Sequence, residues 1–146
     1  LVGSYHYFRT TSSPESQFKN FIANVDVQKQ DLIPLIDLEE KENWDGKTYH
    51  KNLKIFLRLV EDHYGAKPMI YTVNSFYNHT LSGKYSDYKF LIGRYGKNHP
   101  NMRDKHNWTI WQFTETGEIE GIPKLVDIDV LNSKADFESL LLNLDR

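Results

Sequence analysis

Short runs rich in β-branched and aromatic residues alternate with stretches whose apolar residues recur at helical spacing, through most of the chain. That alternation predicts an α/β fold with a largely parallel sheet, because each helical crossover returns the next strand in the same direction. Gly3–Phe8 reads as the first strand. Ser12-Ser13-Pro14-Glu15 then opens a helix, with a serine cap and Pro in the first turn, that carries Phe18, Phe21, Ile22 and Val25 to about Gln28. After the strand Pro34–Glu40 and a polar loop at Glu42–Gly46, the stripe Leu53, Phe56, Leu57, Val60 and Tyr64 marks the clearest helix, stopped by Gly65 and Pro68. The pattern goes on with a strand Pro68–Thr72, a helical turn Ser75–Leu81, a strand Phe90–Tyr95 and a polar loop Lys97–Lys105. It closes with a strand Trp108–Phe113, a turn at Thr116-Gly117, a strand Val126–Val130, and a helix from Ser133 carrying Phe137, Leu140, Leu141 and Leu144.

Within this frame the run Pro34-Leu35-Ile36-Asp37-Leu38-Glu39-Glu40 carries the chemistry. Strand alternation puts Leu35, Asp37 and Glu39 on one face and Pro34, Ile36 and Leu38 on the other. Same-face neighbours lie about 6.6 Å apart along a strand, where two charges repel by roughly 2 to 3 kcal/mol at an effective dielectric near 20. Repulsion of that size holds one carboxyl protonated near neutral pH beside an ionised partner. Such a pair suits acid-assisted cleavage of a glycosidic bond. In α/β folds sites gather at the carboxyl ends of strands, and Asp127 and Asp129 share one face of the last strand, so three or four acids are expected to converge there.

Composition narrows the function classes. With 146 residues the chain is read as one domain, 1–146. A formal charge of -2 and a pI near 6.3 supply no basic field for nucleic acid. Without cysteine there is neither a disulfide framework nor a thiolate metal site, and the six histidines show no ligand spacing, so no metal or other cofactor is expected. No apolar run reaches the length of a membrane span, and Leu1-Val2-Gly3-Ser4 is not a signal peptide. Aromatic residues, at 14%, suit sugar platforms as well as cores. Trp108 and Trp111 fit either use, whereas His6, on an aromatic strand, reads as a hydrogen-bonded core histidine.

Five segments, in order across nearly the whole chain, resemble the glycoside hydrolase family 25 lysozymes, the Chalaropsis-type N-acetylmuramidases. Gly3-Ser4-Tyr5-His6-Tyr7-Phe8-Arg9 is similar to the family's Gly-Ala-Tyr-His-Phe strand, and Pro34 to Glu40 to its Pro-x-x-x-Asp-x-Glu strand. Pro68-Met69-Ile70-Tyr71-Thr72 resembles Pro-x-Ile-Tyr-Thr, Trp108 to Thr114 resembles Trp-x-x-Trp-Gln-Tyr-Thr, and Gly121-Ile122 to Asn132 resembles the closing Gly-Ile…Val-Asp segment. The resemblance implies an irregular TIM-like β/α barrel that cleaves the β-1,4 bond between N-acetylmuramic acid and N-acetylglucosamine in the glycan strands of peptidoglycan. By position it makes Glu39 the general acid, Asp37 the group that steers the substrate's acetamido arm in a retaining, substrate-assisted reaction, and Asp127 the acid of the last strand. Direct displacement by Asp37 or Asp127 stays open. The same resemblance places Tyr5, Tyr71, Tyr95, Trp111 and Gln112 against sugar, and implies a secreted or cell-envelope protein of bacterial or phage origin.

The sequence departs from the family in two places. An opening strand with an Asp, and a following strand of Lys-x-Ser/Thr-Glu-Gly type, have no counterpart here, so the barrel is expected to be incomplete at its N-terminus, with unpaired edges at Gly3–Phe8 and Val126–Val130. Either the chain is a fragment, or a second copy or another chain fills the gap. Leu91 stands where the family often has Trp. Two rivals to the muramidase reading follow: a non-catalytic glycan-binding remnant of the lysozyme fold, and another α/β-barrel glycosidase acting on chitin-like chains.

Overall fold

The computed structural model describes residues 1–142. Six strands, β1 (Tyr5–Tyr7), β2 (Leu35–Asp37), β3 (Met69–Val73), β4 (Phe90–Gly93), β5 (Ile110–Gly117) and β6 (Val126–Leu131), form a sheet in chain order. The β1–β2 and β4–β5 pairs are parallel and β5–β6 is antiparallel, giving a mixed α/β fold. β1 and β6 are the end strands of that order, where unpaired edges were expected. Contacts divide the chain into two compact units, residues 1–70 with the described residues from Phe137 onward, and residues 71–136.

In the first unit, helix α1 (Pro14–Asn24) starts at the predicted signal: Ser13 Oγ accepts from the Ser16 N–H at 3.2 Å, and Pro14 occupies the first turn. It ends before Gln28, because Val25 turns extended and Asp26 caps a separate short turn at Val27–Lys29. Helix α2 (Gly46–Tyr64) begins about two turns earlier than its apolar stripe, where Asp45 accepts from the Thr48 N–H at 2.7 Å. It ends at Gly65, whose φ of 66° is cheap only for glycine. Tyr49, Leu53, Phe56, Leu57 and Val60 are fully buried with Phe8, Ile36 and Leu38.

The predicted helix from Ser133 is corrected. Asn132 Oδ1 takes the Lys134 N–H and a turn follows, and among the described residues of this segment only Glu138–Leu140 is helical, as one short 3-10 turn. Its backbone is spent on the 31–33 segment instead: Leu140 accepts from the Ile33 N–H at 2.9 Å, and the Leu142 N–H donates to the Asp31 carbonyl at 2.8 Å. Leu141 bridges Leu32 in antiparallel fashion. Leu144 lies outside the described residues.

In the second unit, β3 leads into helix α3 (Asn74–Phe76) and a π-helical turn, Tyr77–Leu81, in place of a plain helical turn. β5 runs beyond Phe113 through the expected turn at Thr116-Gly117, because β6 pairs with it as far as Gly117. The reversal falls in the exposed segment 118–125.

Candidate active site

The acid pair lies at the carboxyl end of β2. Ile36 and Leu38 are fully buried, Asp37 is half-buried and Glu39 is exposed, which is the alternation expected of that strand. Asp37 Oδ1 is buried and accepts no hydrogen bond. The Asp37 carboxyl is pushed up to about 7, first by burial and second by the charge of Glu39. Repulsion alone was expected to hold the proton, so the order of causes is corrected: loss of water is the larger effect.

Tyr7 stands beside this pair, a residue that pattern reading missed. In the parallel β1–β2 ladder Tyr5 is in register with Leu35 and Tyr7 with Asp37, so Tyr7 shares the face of the acids. Its phenol is pushed up by burial, then by Glu40, Glu39 and Asp37. The Arg9 guanidinium lies 5.1 Å from the Tyr7 ring centre and 3.7 Å from Glu40 Oε1, and Glu40 also takes the Thr10 N–H at 3.4 Å. Tyr5 is 68% exposed, an aromatic face open to solvent.

The opposite face of β1 is closed. His6 stacks on Phe56 with ring centres 4.9 Å apart, and burial lowers its pKa; it is the core histidine expected. Buried Gln17 secures the chain just after β1: its Oε1 accepts from the Arg9 N–H at 2.7 Å, and its Nε2 donates to the carbonyls of Arg9 and Ser12 at 2.8 and 2.9 Å. Apolar periodicity gives no sign of this polar anchor.

In the second unit a buried amide joins two of the predicted tyrosines. Gln112 Oε1 accepts from the Tyr71 hydroxyl at 2.9 Å and the Tyr95 hydroxyl at 3.3 Å. Gly93 is in register with Gln112, and a Cβ at 93 would come within 2.9 Å of the Tyr71 hydroxyl oxygen, so the bare glycine leaves room for this bond. Asp129 lies opposite Gln112 across β5–β6, and its carboxyl is pushed up by burial and then by Asp127. Asp127 is exposed, and its charge reaches the Tyr95 phenol, which burial raises first. Trp111 takes the other side of β5. It is 7% exposed, donates from Nε1 to the Arg94 carbonyl at 2.7 Å, and has the His99 ring 4.7 Å away. Leu91 is buried.

Among the described residues no group of three or more His, Asp or Glu is placed to hold a metal ion, and no helix is long and apolar enough to cross a membrane. A mostly parallel α/β sheet with a carboxylate pair at a strand's carboxyl end has these acids where α/β folds gather their sites. The comparisons narrow the class of protein. The sequence pattern of the glycosyl hydrolases family 25 matches residues 1–122, and the chain belongs to that family. It is 32% identical over 136 residues to the uncharacterized protein YegX of Escherichia coli K12, covering 93% of this chain and 50% of the relative, so it spans about half the length of the curated relatives it matches. Among solved structures, a family 25 glycosyl hydrolase from Bacillus anthracis aligns with a TM-score of 0.79 at 30% identity, over 92% of this chain and 64% of the other. The Clostridium perfringens spore cortex lytic enzyme SleM shares the fold, with a TM-score of 0.78 at 24% identity over 95% of this chain and 51% of that one.

Proposed function

We propose that this chain carries the acid pair of a peptidoglycan hydrolase, an N-acetylmuramidase cleaving the β-1,4 bond between N-acetylmuramic acid and N-acetylglucosamine. The observation that carries the reading is the Asp37–Glu39 pair, with a buried, unpartnered Asp37 oxygen and a proton held there near neutral pH. An acetamido N–H donating to Asp37 Oδ1 would stabilise its charged form and release that proton to the pair's other carboxyl. Glu39 then protonates the leaving oxygen while the acetamido oxygen, oriented by Asp37, attacks the anomeric carbon. Water opens the resulting ring and restores the Glu39 proton. Tyr71, Tyr95 and Gln112 are assigned to sugar hydroxyls, Tyr5 to an exposed sugar face, and Asp127 to polar contacts beside Tyr95. Trp111 braces β5. The Bacillus anthracis protein, a glycosyl hydrolase by name, supports a glycan substrate. A cell-envelope site of action follows from that substrate.

The test is release of reducing sugar from purified cell walls. Glu39→Gln should lower it by about a thousandfold while leaving binding to insoluble wall intact. An unchanged rate would overturn the assignment. Wall binding without any cleavage by the parent protein would favour the glycan-binding remnant.

A further inference from the structure

Arg9 takes no part in the proposed proton transfers, yet it stands among the groups that do. Its main chain is fixed by buried Gln17, which accepts from the Arg9 N–H at 2.7 Å and donates to the Arg9 carbonyl at 2.8 Å. Alternation carries on past β1: His6 and Phe8 turn to the core, while Tyr5, Tyr7 and Arg9 turn to the side of the acids. The contacts agree. The guanidinium carbon lies 5.1 Å from the centre of the Tyr7 ring and Nε lies 3.7 Å from Glu40 Oε1. The charges of Glu40, Glu39, Asp37 and Arg9 all reach the Tyr7 phenol, and Tyr7 is in register with Asp37. One side chain thus gathers Arg9 and the acid pair around itself.

What holds the guanidinium leaves its donors uncommitted. Contact with the face of the Tyr7 ring draws on the cation's charge and uses no N–H, and an ion pair of 3.7 Å is too long for a hydrogen bond. Among the described residues no acceptor is bonded to the Arg9 side chain, which is 54% exposed. A planar fork of N–H donors is therefore placed beside the acids and open to solvent. That fork fits a carboxylate, which it can engage through two parallel charge-assisted bonds; a neutral amide offers it one acceptor oxygen and no charge. Electrostatics ask for a cation here as well. The acid pair shares one proton and keeps one negative charge, and Glu40 adds another, so an anionic sugar is repelled unless a cation meets it.

We propose that Arg9 reads a free carboxylate on the sugar held at Asp37 and Glu39, so that the preferred glycan is one whose muramic acid carries no peptide. The inference rests on the glycan reading above and deepens it. In stem-bearing peptidoglycan the lactyl carboxyl is tied up in an amide and is neutral. Once water has cleaved that amide, the amine leaves with the peptide and the lactyl group on the ring ends in a carboxylate. Arg9 therefore sorts two states of one polymer, and the chain acts after an amide hydrolase that strips the peptide from the lactyl group. Chitin-like chains carry no carboxylate and gain nothing from the same residue.

Two soluble ligands that differ at this one group separate the outcomes: N-acetylglucosaminyl-N-acetylmuramic acid with its lactyl carboxylate free, and the same disaccharide as the lactyl methylamide. Both are titrated by calorimetry, at neutral pH and low salt, into the chain carrying Glu39→Gln, so that no ligand is consumed. The carboxylate should bind about tenfold tighter than the amide. Arg9→Gln in the same background should cut that preference to about twofold or less, and Arg9→Lys, which keeps the charge and loses the fork, should fall between. Equal binding of the two ligands to the chain with Arg9 intact overturns the inference and spares the glycan reading. A preference that survives Arg9→Gln also overturns it, since the carboxylate is then read elsewhere; so does an equal weakening of both ligands, which marks Arg9 as a prop for Tyr7. Failure of both ligands to bind brings down the glycan reading and this one together.

Discussion

Tyr7 stands in register with Asp37 across the parallel β1–β2 pair, and burial raises both its phenol and the Asp37 carboxyl. Asp37 is thus kept neutral by its surroundings, with stability consequences independent of any substrate. Its folded pKa lies above its unfolded one, so the native state binds the proton more tightly. Stability at this site is therefore greatest in acid and falls as pH rises from about 4 to about 7, levelling off above. Allowing for partial contact with water, the loss is about 2 kcal/mol. Asp37→Asn should abolish this slope and raise the denaturant midpoint at pH 8, while cutting wall hydrolysis by about a hundredfold or more. Urea unfolding of both proteins at pH 5 and pH 8 checks the sign.

Gln17 should be worth more than its place on an amphipathic helix suggests. Gln17→Ala leaves the Arg9 N–H and two carbonyls without their partners in a partly buried corner, at a cost of about 1 to 3 kcal/mol. Gln17→Met keeps the volume and should recover little, because packing is not what the amide supplies. Thermal unfolding of the two variants distinguishes polar from steric loss.

How far the residues announced this structure depends on where each spends its backbone and polar groups. The α2 stripe was legible because one helix face alone meets the core and Gly65 supplies the left-handed stop. The acid pair was legible too, since strand alternation fixes its face whatever the neighbours are. Tyr7 was not singled out because its role comes from register with another strand, which no single-strand pattern encodes. The Ser133 segment has the right apolar spacing for a helix. Its carbonyls and N–H groups are nevertheless taken by Asp31 and Ile33, distant in sequence, and tertiary pairing overrides local preference. Gln112 matched its family motif, but its link to Tyr71 depends on Gly93 being bare, a condition set by the β4–β5 register.

Asp104 should hold the 96–106 loop in place. Its carboxylate accepts from the Tyr77 hydroxyl at 2.8 Å and the His106 N–H at 3.1 Å, and also binds the Gly83 N–H. Asn74 and Asn78 add bonds from the helical segment to Asn101 and Arg103. Asp104→Ala leaves the 2% exposed Tyr77 without its acceptor and should cost about 2 to 3 kcal/mol. Since the loop presents His99 to Trp111, tryptophan fluorescence should shift with it. Asp104→Asn, which keeps one acceptor oxygen, should fall between wild type and alanine.

Gly93 offers the cleanest separation of space from conformation. Its backbone is not in the left-handed region, so alanine meets no φ penalty. The nearest atoms to the new Cβ are the Tyr71 hydroxyl oxygen at 2.9 Å, Gln112 Oε1 at 3.4 Å and the Tyr71 ring at 3.5 Å. Gly93→Ala should destabilise by about 1 to 3 kcal/mol through this overlap and break the Tyr71–Gln112 hydrogen bond. Tyr71→Phe removes the oxygen that clashes, at the separate cost of the bond. If the overlap is the cause, the two changes are strongly non-additive, and the double variant is about as stable as Tyr71→Phe alone. Additive losses in a denaturation cycle would mean that the glycine is needed for some other reason, and the account of how β4 makes room for the Gln112 network would fail.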